Sequence, residues 1–480
     1  MGDPVKFRPC LGAALTALAL LPAASQAAAP TKTCHLPGAE EPLRCVTLPV
    51  ALDYANPAGA KLKLHVTVAP AFRESARPDP LFVLAGGPGQ AGSDVLQLLN
   101  TTFRRTRATR DIVFIDQRGT GLSGKLDCES TPAQEAMTEE QLEAEVVACI
   151  GRLKANYAAY GTASATRDIE QVRQALGYAK VNVWGGSYGT RLAQAYARAY
   201  PAQVRSLLLD GVAAPDQVIP AGGKDSQAAL DALFRQCAAE PGCARAFPNA
   251  RAEFSALAAK VAAGGVKVEI ADPRTAAPLK LPMTSSRFLA TVHSILYSPA
   301  DSRRLPFLIH SAAQGRWEPF MARRNVAADF SADGATSMVL HLAVICAEDL
   351  PRLTPELRAA DATESALSAP MAARLPALCR AINVPAVPLA APTQITAPTL
   401  MLSGALDPVT PPRRAEAAAK SIANAQHLVV ANAGHGISPL GCAPRLLREF
   451  LDRPDAPVQA ACLKDIPVPG FQLGSAGPQP

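Results

Sequence analysis

The chain has 480 residues, 49% of them hydrophobic, which is enough to bury a large core; length alone suggests two or three domains. Its 47 Lys and Arg against 41 Asp and Glu leave a net charge of +6. The basic residues occur as short pairs such as Arg104-Arg105, Arg303-Arg304 and Arg323-Arg324, with no stripe interleaved with aromatics, so a nucleic-acid surface is excluded.

The N-terminus reads as a signal peptide over residues 1–27. Lys6 and Arg8 precede an apolar run from Leu11 to Leu21 that is too short to span a bilayer, and Ser25-Gln26-Ala27 offers cleavage after Ala27. An uncleaved anchor is the alternative. No later segment reaches about 18 consecutive apolar residues, so no stable membrane insertion is expected after cleavage. The expected location is the periplasm or the exterior of the cell. The Ala, Pro and Arg content fits a bacterial source.

Two strands follow, Val46 to Val50 and Leu62 to Val68. Leu81 to Ala85 is a buried strand that runs into Gly86-Gly87-Pro88-Gly89-Gln90-Ala91-Gly92. This loop matches neither G-x-x-x-x-G-K-[ST] nor G-x-G-x-x-G, which excludes the usual phosphate cradles. It suits a backbone N–H that must approach a substrate oxygen. Further strands are expected near Ile112, Val181 and Val204 to Leu209, separated by helical patterns such as Thr166 to Leu176. That alternation predicts a mostly parallel sheet covered on both faces. Asn100-Thr101-Thr102 is a glycosylation sequon that matters only in a host that uses it.

The densest signal is Val183-Trp184-Gly185-Gly186-Ser187-Tyr188-Gly189-Thr190. A strand-like run precedes this G-x-S-x-G and a helix-like run follows it, the context of a nucleophile elbow. Gly185 and Gly189 remove side chains that would clash in a sharp strand-to-helix turn. Ser187 is the expected nucleophile. The N–H groups of Tyr188 and Gly87 are the expected oxyanion donors.

From about Pro215 to Pro392 the pattern turns helical and Ala-rich, reading as a lid over the site. Alternation returns at Thr399 to Ser403, whose loop carries Asp407. The strand His427 to Ala431 follows, and its loop carries His435. Both residues lie just past the carboxyl ends of strands, where open α/β sheets bind ligands. Their order, Ser then Asp then His, is that of an elbow-based triad. The remaining histidines (His35, His65, His293, His310, His341, His427) read as structural or surface residues. Eleven cysteines, less Cys10 in the leader, leave ten. In chain order they make compact pairs: Cys34–Cys45, Cys128–Cys149, Cys237–Cys243, Cys346–Cys379 and Cys442–Cys462. No metal-ligand spacing is present and no metal or cofactor is expected. The tail after Pro467 reads as loose.

The motifs Gly86-Gly87-Pro88-Gly89, Asp116-Gln117-Arg118-Gly119-Thr120-Gly121-Leu122-Ser123 and Gly185-Gly186-Ser187-Tyr188-Gly189, in that order, resemble the proline iminopeptidase and tripeptidyl aminopeptidase branch of the α/β-hydrolases. From about Thr393 the chain resembles the C-terminal region of tripeptidyl aminopeptidases. Relatives often carry His where Ala85 stands, which bears on how the loop is supported. The resemblance implies an α/β-hydrolase fold, a mostly parallel sheet flanked by helices with a helical cap inserted before the Asp and His. The implied divisions are a core part at 28–214, a cap at 215–392 and a C-terminal core part at 393–480. An aminopeptidase must recognise a free α-ammonium with a carboxylate. Glu348 and Asp349, after Cys346, are the expected pair. The expected substrate is a peptide. A hydrolase of small esters or amides and a non-catalytic binding protein on the same scaffold are the alternatives.

Overall fold

The computed structural model describes residues 1–2, 29–129, 131–271, 275–329, 336–365, 367, 369–389 and 391–478. The expected signal segment and Cys10 lie outside the described residues, apart from Met1 and Gly2.

Nine strands form the main sheet. They are β1 (Lys32–Cys34), β2 (Leu43–Ala51), β3 (Lys61–Ala69), β4 (Leu81–Leu84), β5 (Ile112–Ile115), β6 (Val181–Gly186), β7 (Val204–Asp210), and, after a two-stranded hairpin of β8 (Lys267–Ala271) and β9 (Pro278–Pro282), β10 (Thr399–Gly404) and β11 (Ala425–Val430). Their order is β1-β2-β3-β5-β4-β6-β7-β10-β11. The first three pair antiparallel, and β3 also joins β5 antiparallel. From β5 to β11 every pairing is parallel. β1 is not among the strands expected from sequence.

The continuous apolar strands are explained by burial on both faces. Phe82, Leu84, Val113 and Ile115 enter one core, while their alternate neighbours Leu81, Val83, Ile112 and Phe114 enter another. Helix Thr162–Ala175 covers the first face together with the helix Tyr188–Ala199 that follows β6.

The stretch between β7 and β10 is not uniform. Residues Ala229 through Met321 build a third core around Leu230, Phe288 and Phe320. The helix Met338–Glu348 instead packs Val339 through Cys346 into the sheet core. Its sequence is apolar on nearly every side, so it is buried all round rather than laid on a surface. The hairpin β8–β9 lies where only helices were expected. The tail is not loose. Phe471 is buried in the third core under the Arg303 guanidinium, and Gln472 N–H donates to Arg303 O at 3.1 Å.

The ten described cysteines are bonded as Cys34–Cys45, Cys128–Cys149, Cys237–Cys243, Cys346–Cys379 and Cys442–Cys462. Among the described residues no helix is long and apolar enough to cross a membrane.

The Asp116-to-Ser123 motif is a structural knot. Asp116 accepts bonds from Ser93 N, Ser93 Oγ and Leu122 N at 2.7–2.9 Å. Arg118 is bidentate to Asp168, both bonds 2.6 Å, and donates to Leu52 O and Ala159 O. Both partners are almost fully buried. Removing one partner from a buried pair strands the other charge. Asp168→Ala is therefore expected to cost about 3–5 kcal/mol of stability, read from urea denaturation. A loss under about 1 kcal/mol would mean that water reaches Arg118.

Candidate active site

Ser187 stands at the turn between β6 and the helix Tyr188–Ala199 with φ 54 and ψ −124, a conformation that L-residues rarely adopt. The surroundings hold it there. Ser187 N–H donates to Asp210 O at 2.9 Å, and Ser187 O accepts from Thr190 N and Thr190 Oγ1. The helix sits so close to β4 that a Cβ on Gly189 would run into the Leu84 carbonyl oxygen. The strain therefore belongs to a turn that presents one hydroxyl past the sheet edge.

Asp407 and His435 come together as a pair. His435 Nδ1–H donates to Asp407 Oδ2 at 2.7 Å. The other carboxylate oxygen accepts from Val409 N and Thr410 N, both at 2.8 Å. Thr410, which no sequence motif marks, donates its hydroxyl to Asp407 Oδ2 at 2.8 Å and lies 3.1 Å from His435 Nδ1. Burial raises the Asp407 carboxyl, but the His435 charge and these hydrogen bonds outweigh it and hold the group below the usual carboxylate range. Burial pulls the His435 imidazole down, yet the Asp407 charge and hydrogen bond, with Asp210 beyond, lift it above its ordinary value.

Asp210, at the end of β7, links the two loops. Its backbone accepts from Ser187, while its carboxylate accepts from Ile437 N and Ser438 N, just past His435, at 2.7–3.0 Å. The next residue, Gly211, has φ +66, and a Cβ there would stand 3.0 Å from His435 Cε1. The Asp-Gly step after a strand is the one sequence signal for this role.

The insertion also reaches the site. His435 N–H donates to Tyr297 O at 2.8 Å, and the Tyr297 and His435 rings meet edge to face at 5.0 Å. Tyr297 also packs edge to face on His293, whose imidazole burial pushes down to about 4. His293 and His341 thus lie beside the site in buried packing and hydrogen-bonding roles, in keeping with the structural reading. His341 Nδ1 is 3.1 Å from Pro88 O in the glycine loop.

The loop stands against the elbow: a Cβ on Gly86 would lie 2.9 Å from Ser187 Cβ. Gly87 is exposed there with φ +104. The Tyr188 side chain is buried, its hydroxyl 2.7 Å from Thr162 Oγ1.

The two acids part company. Asp349 is fully buried and its carboxylate is bidentate to Arg191 at 3.0 and 3.2 Å, with Arg352 at 2.9 Å and Ile219 N at 3.1 Å. Its expected role with substrate is corrected: the charge is already neutralised by arginines inside the protein. Glu348 stays half-buried and accepts from Thr162 N and Thr162 Oγ1, both at 2.7 Å. Burial raises its carboxyl.

A mostly parallel sheet with a serine elbow after β6 and an Asp–His pair after β10 and β11, beyond the intervening β7, has the arrangement of the α/β-hydrolase fold. Residues 79–249 match the family described as the alpha/beta hydrolase fold. Residues 365–462 match the family described as TAP-like protein. Among curated relatives, serine protease Hip1 of Mycobacterium tuberculosis is 27% identical over 265 residues, 51% of this chain and 47% of that protein. Tripeptidyl aminopeptidase of Streptomyces lividans is 29% identical over 196 residues, 37% of this chain and 36% of the relative. Proline iminopeptidase of Neisseria gonorrhoeae is 33% identical over 144 residues, 29% and 36% of the two chains. The chain thus spans about half or less of the length of these relatives.

Asp349→Ala is expected to destabilise the fold by about 3–5 kcal/mol, because it leaves Arg191 buried without a countercharge. Thermal unfolding checks this. A stable variant that had lost only substrate preference would restore Asp349 to the binding site.

Proposed function

We propose that the protein is an exported serine hydrolase that releases N-terminal residues or short peptides. The observation that carries this reading is the Asp407–His435 pair, tied through Asp210 to the strained Ser187 turn. Ser187 Oγ attacks the scissile carbonyl carbon and His435 Nε2 takes its proton. Asp407 fixes the tautomer with the Nδ1 proton toward the carboxylate and stabilises the imidazolium. The N–H groups of Gly87 and Tyr188 receive the oxyanion. His435 returns the proton to the leaving amine as the C–N bond breaks, and water then hydrolyses the Ser187 ester.

Glu348 alone is assigned to the substrate ammonium, since it keeps an exposed edge and sits one hydroxyl away from Tyr188. The peptidase relatives support a peptide substrate. Five disulfides support export, with cleavage after Ala27 as the proposed processing.

Purified protein is expected to hydrolyse peptide anilides with a free N-terminus and to spare their N-acetylated forms, with all turnover lost in Ser187→Ala. Equal cleavage of both forms, or turnover confined to p-nitrophenyl esters, would move the assignment to an esterase or amidase. The rate should rise with pH through the His435 pKa, because only the neutral imidazole accepts the serine proton. Asp407→Asn removes the main cause that lifts this pKa. The variant should lose about 10⁴-fold in kcat, and its acid limb should move to lower pH. An unmoved limb would assign the titration to another group.

A further inference from the structure

The two proposed oxyanion donors lie on different segments, Gly87 after β4 and Tyr188 after β6. The strands before them are paired and the segments pack together, yet a hole works only when both N–H groups point at one atom. The helix Met338–Glu348 touches both. Its 11 residues span about 16 Å.

At its N-terminal end, Ser337 N–H donates to Gly89 O at 2.8 Å, and Gln90 and Thr336 form a β-bridge. The approach is tight: a Cβ on Gly89 would stand 2.6 Å from Ser337 O. One turn in, His341 Nδ1–H donates to the carbonyl of Pro88, the residue after Gly87. Gln117 Nε2 holds the other side of the loop through Ala85 O at 3.0 Å. At the C-terminal end, Glu348 binds Thr162, whose hydroxyl meets the Tyr188 phenol. Between the ends, the helix is buried along its length.

We propose that this helix is a brace of the oxyanion hole, with His341 as the positioning residue for the Gly87 donor. The inference rests on the hydrolase reading and adds to it a part supplied from the insertion between Ser187 and Asp407. His341 does not touch substrate. It fixes the peptide next to the donor, so its loss acts on the transition state and not on substrate binding.

The test uses the full-length mature protein and two variants. His341→Ala removes the N–H, while His341→Asn keeps an N–H at a similar reach from the backbone. His341→Leu, which fills the volume, replaces the alanine variant if that one does not fold. Hydrogen exchange is read over residues 86–92 and, for comparison, over 185–190. Kinetics are read on a free-N-terminus peptide anilide. His341→Ala should speed exchange of 86–92 by about tenfold or more, leave 185–190 unchanged, and lower kcat by about 10- to 100-fold with KM within about threefold. His341→Asn should restore most of both. Unchanged exchange over 86–92 overturns the brace. So does faster exchange with kcat within twofold of wild type, or an asparagine variant no better than alanine. Wild-type protein without any Ser187-dependent turnover would sink the hydrolase reading instead, and loop exchange would still decide the brace on its own.

Discussion

Asp210 holds the site in register. It lies at the end of β7, fully inside the protein, and both its backbone and its side chain are spent on neighbouring loops. The carbonyl takes the Ser187 N–H and the carboxylate takes the N–H groups of Ile437 and Ser438. Gly211 N–H then donates to Leu402 O of β10. Asp210 and Gly211 thus join the ends of three adjacent strands and the histidine loop. Burial penalises its charge and raises its carboxyl, while the N–H groups and Ser438 pull the other way. Losing the carboxylate would free Ile437 and Ser438 from the sheet and let His435 drift from Ser187.

The same device recurs farther out. Arg118–Asp168, Arg191–Asp349 and the Arg110 contacts to Asp79 and Asp452 are buried or nearly so. Such pairs seldom add net stability over an apolar substitute, because desolvation offsets the attraction. Each here joins segments far apart in sequence. Arg191 stands on the helix behind Ser187 and Asp349 ends the helix that carries His341. A buried fork of hydrogen bonds fixes angle as well as distance, which apolar packing does not.

The insertion is therefore more than a cover. Its third core folds around Phe288 and Phe320, and the turn after the helix Ser285–Ile295 within it places Tyr297 against His435. The helix Met338–Glu348 belongs by burial to the sheet and reaches the glycine loop. Parts of the site thus come from the sheet ends and parts from the chain between them. A tail residue, Phe471, packs into the same core, under the Arg303 guanidinium.

Strand and helix periods are local, so the parallel sheet, the Ser187 turn and the loops of Asp407 and His435 are legible in short stretches of chain. The pairing of neighbouring cysteines is local as well. Contacts across hundreds of residues leave no such trace. Asp349 and Glu348 are adjacent and alike in sequence, yet one is sealed between Arg191 and Arg352 and the other keeps an open edge. Thr410 and His341 carry no motif, and Asp210 only an Asp-Gly step after a strand, since their roles exist only when strand ends and an inserted helix meet. Side-chain type and backbone period are properties of the chain, so the sequence settles which residues have the chemistry. Burial and hydrogen-bond partners belong to the packed molecule, so tertiary structure alone decides which of those residues face the site.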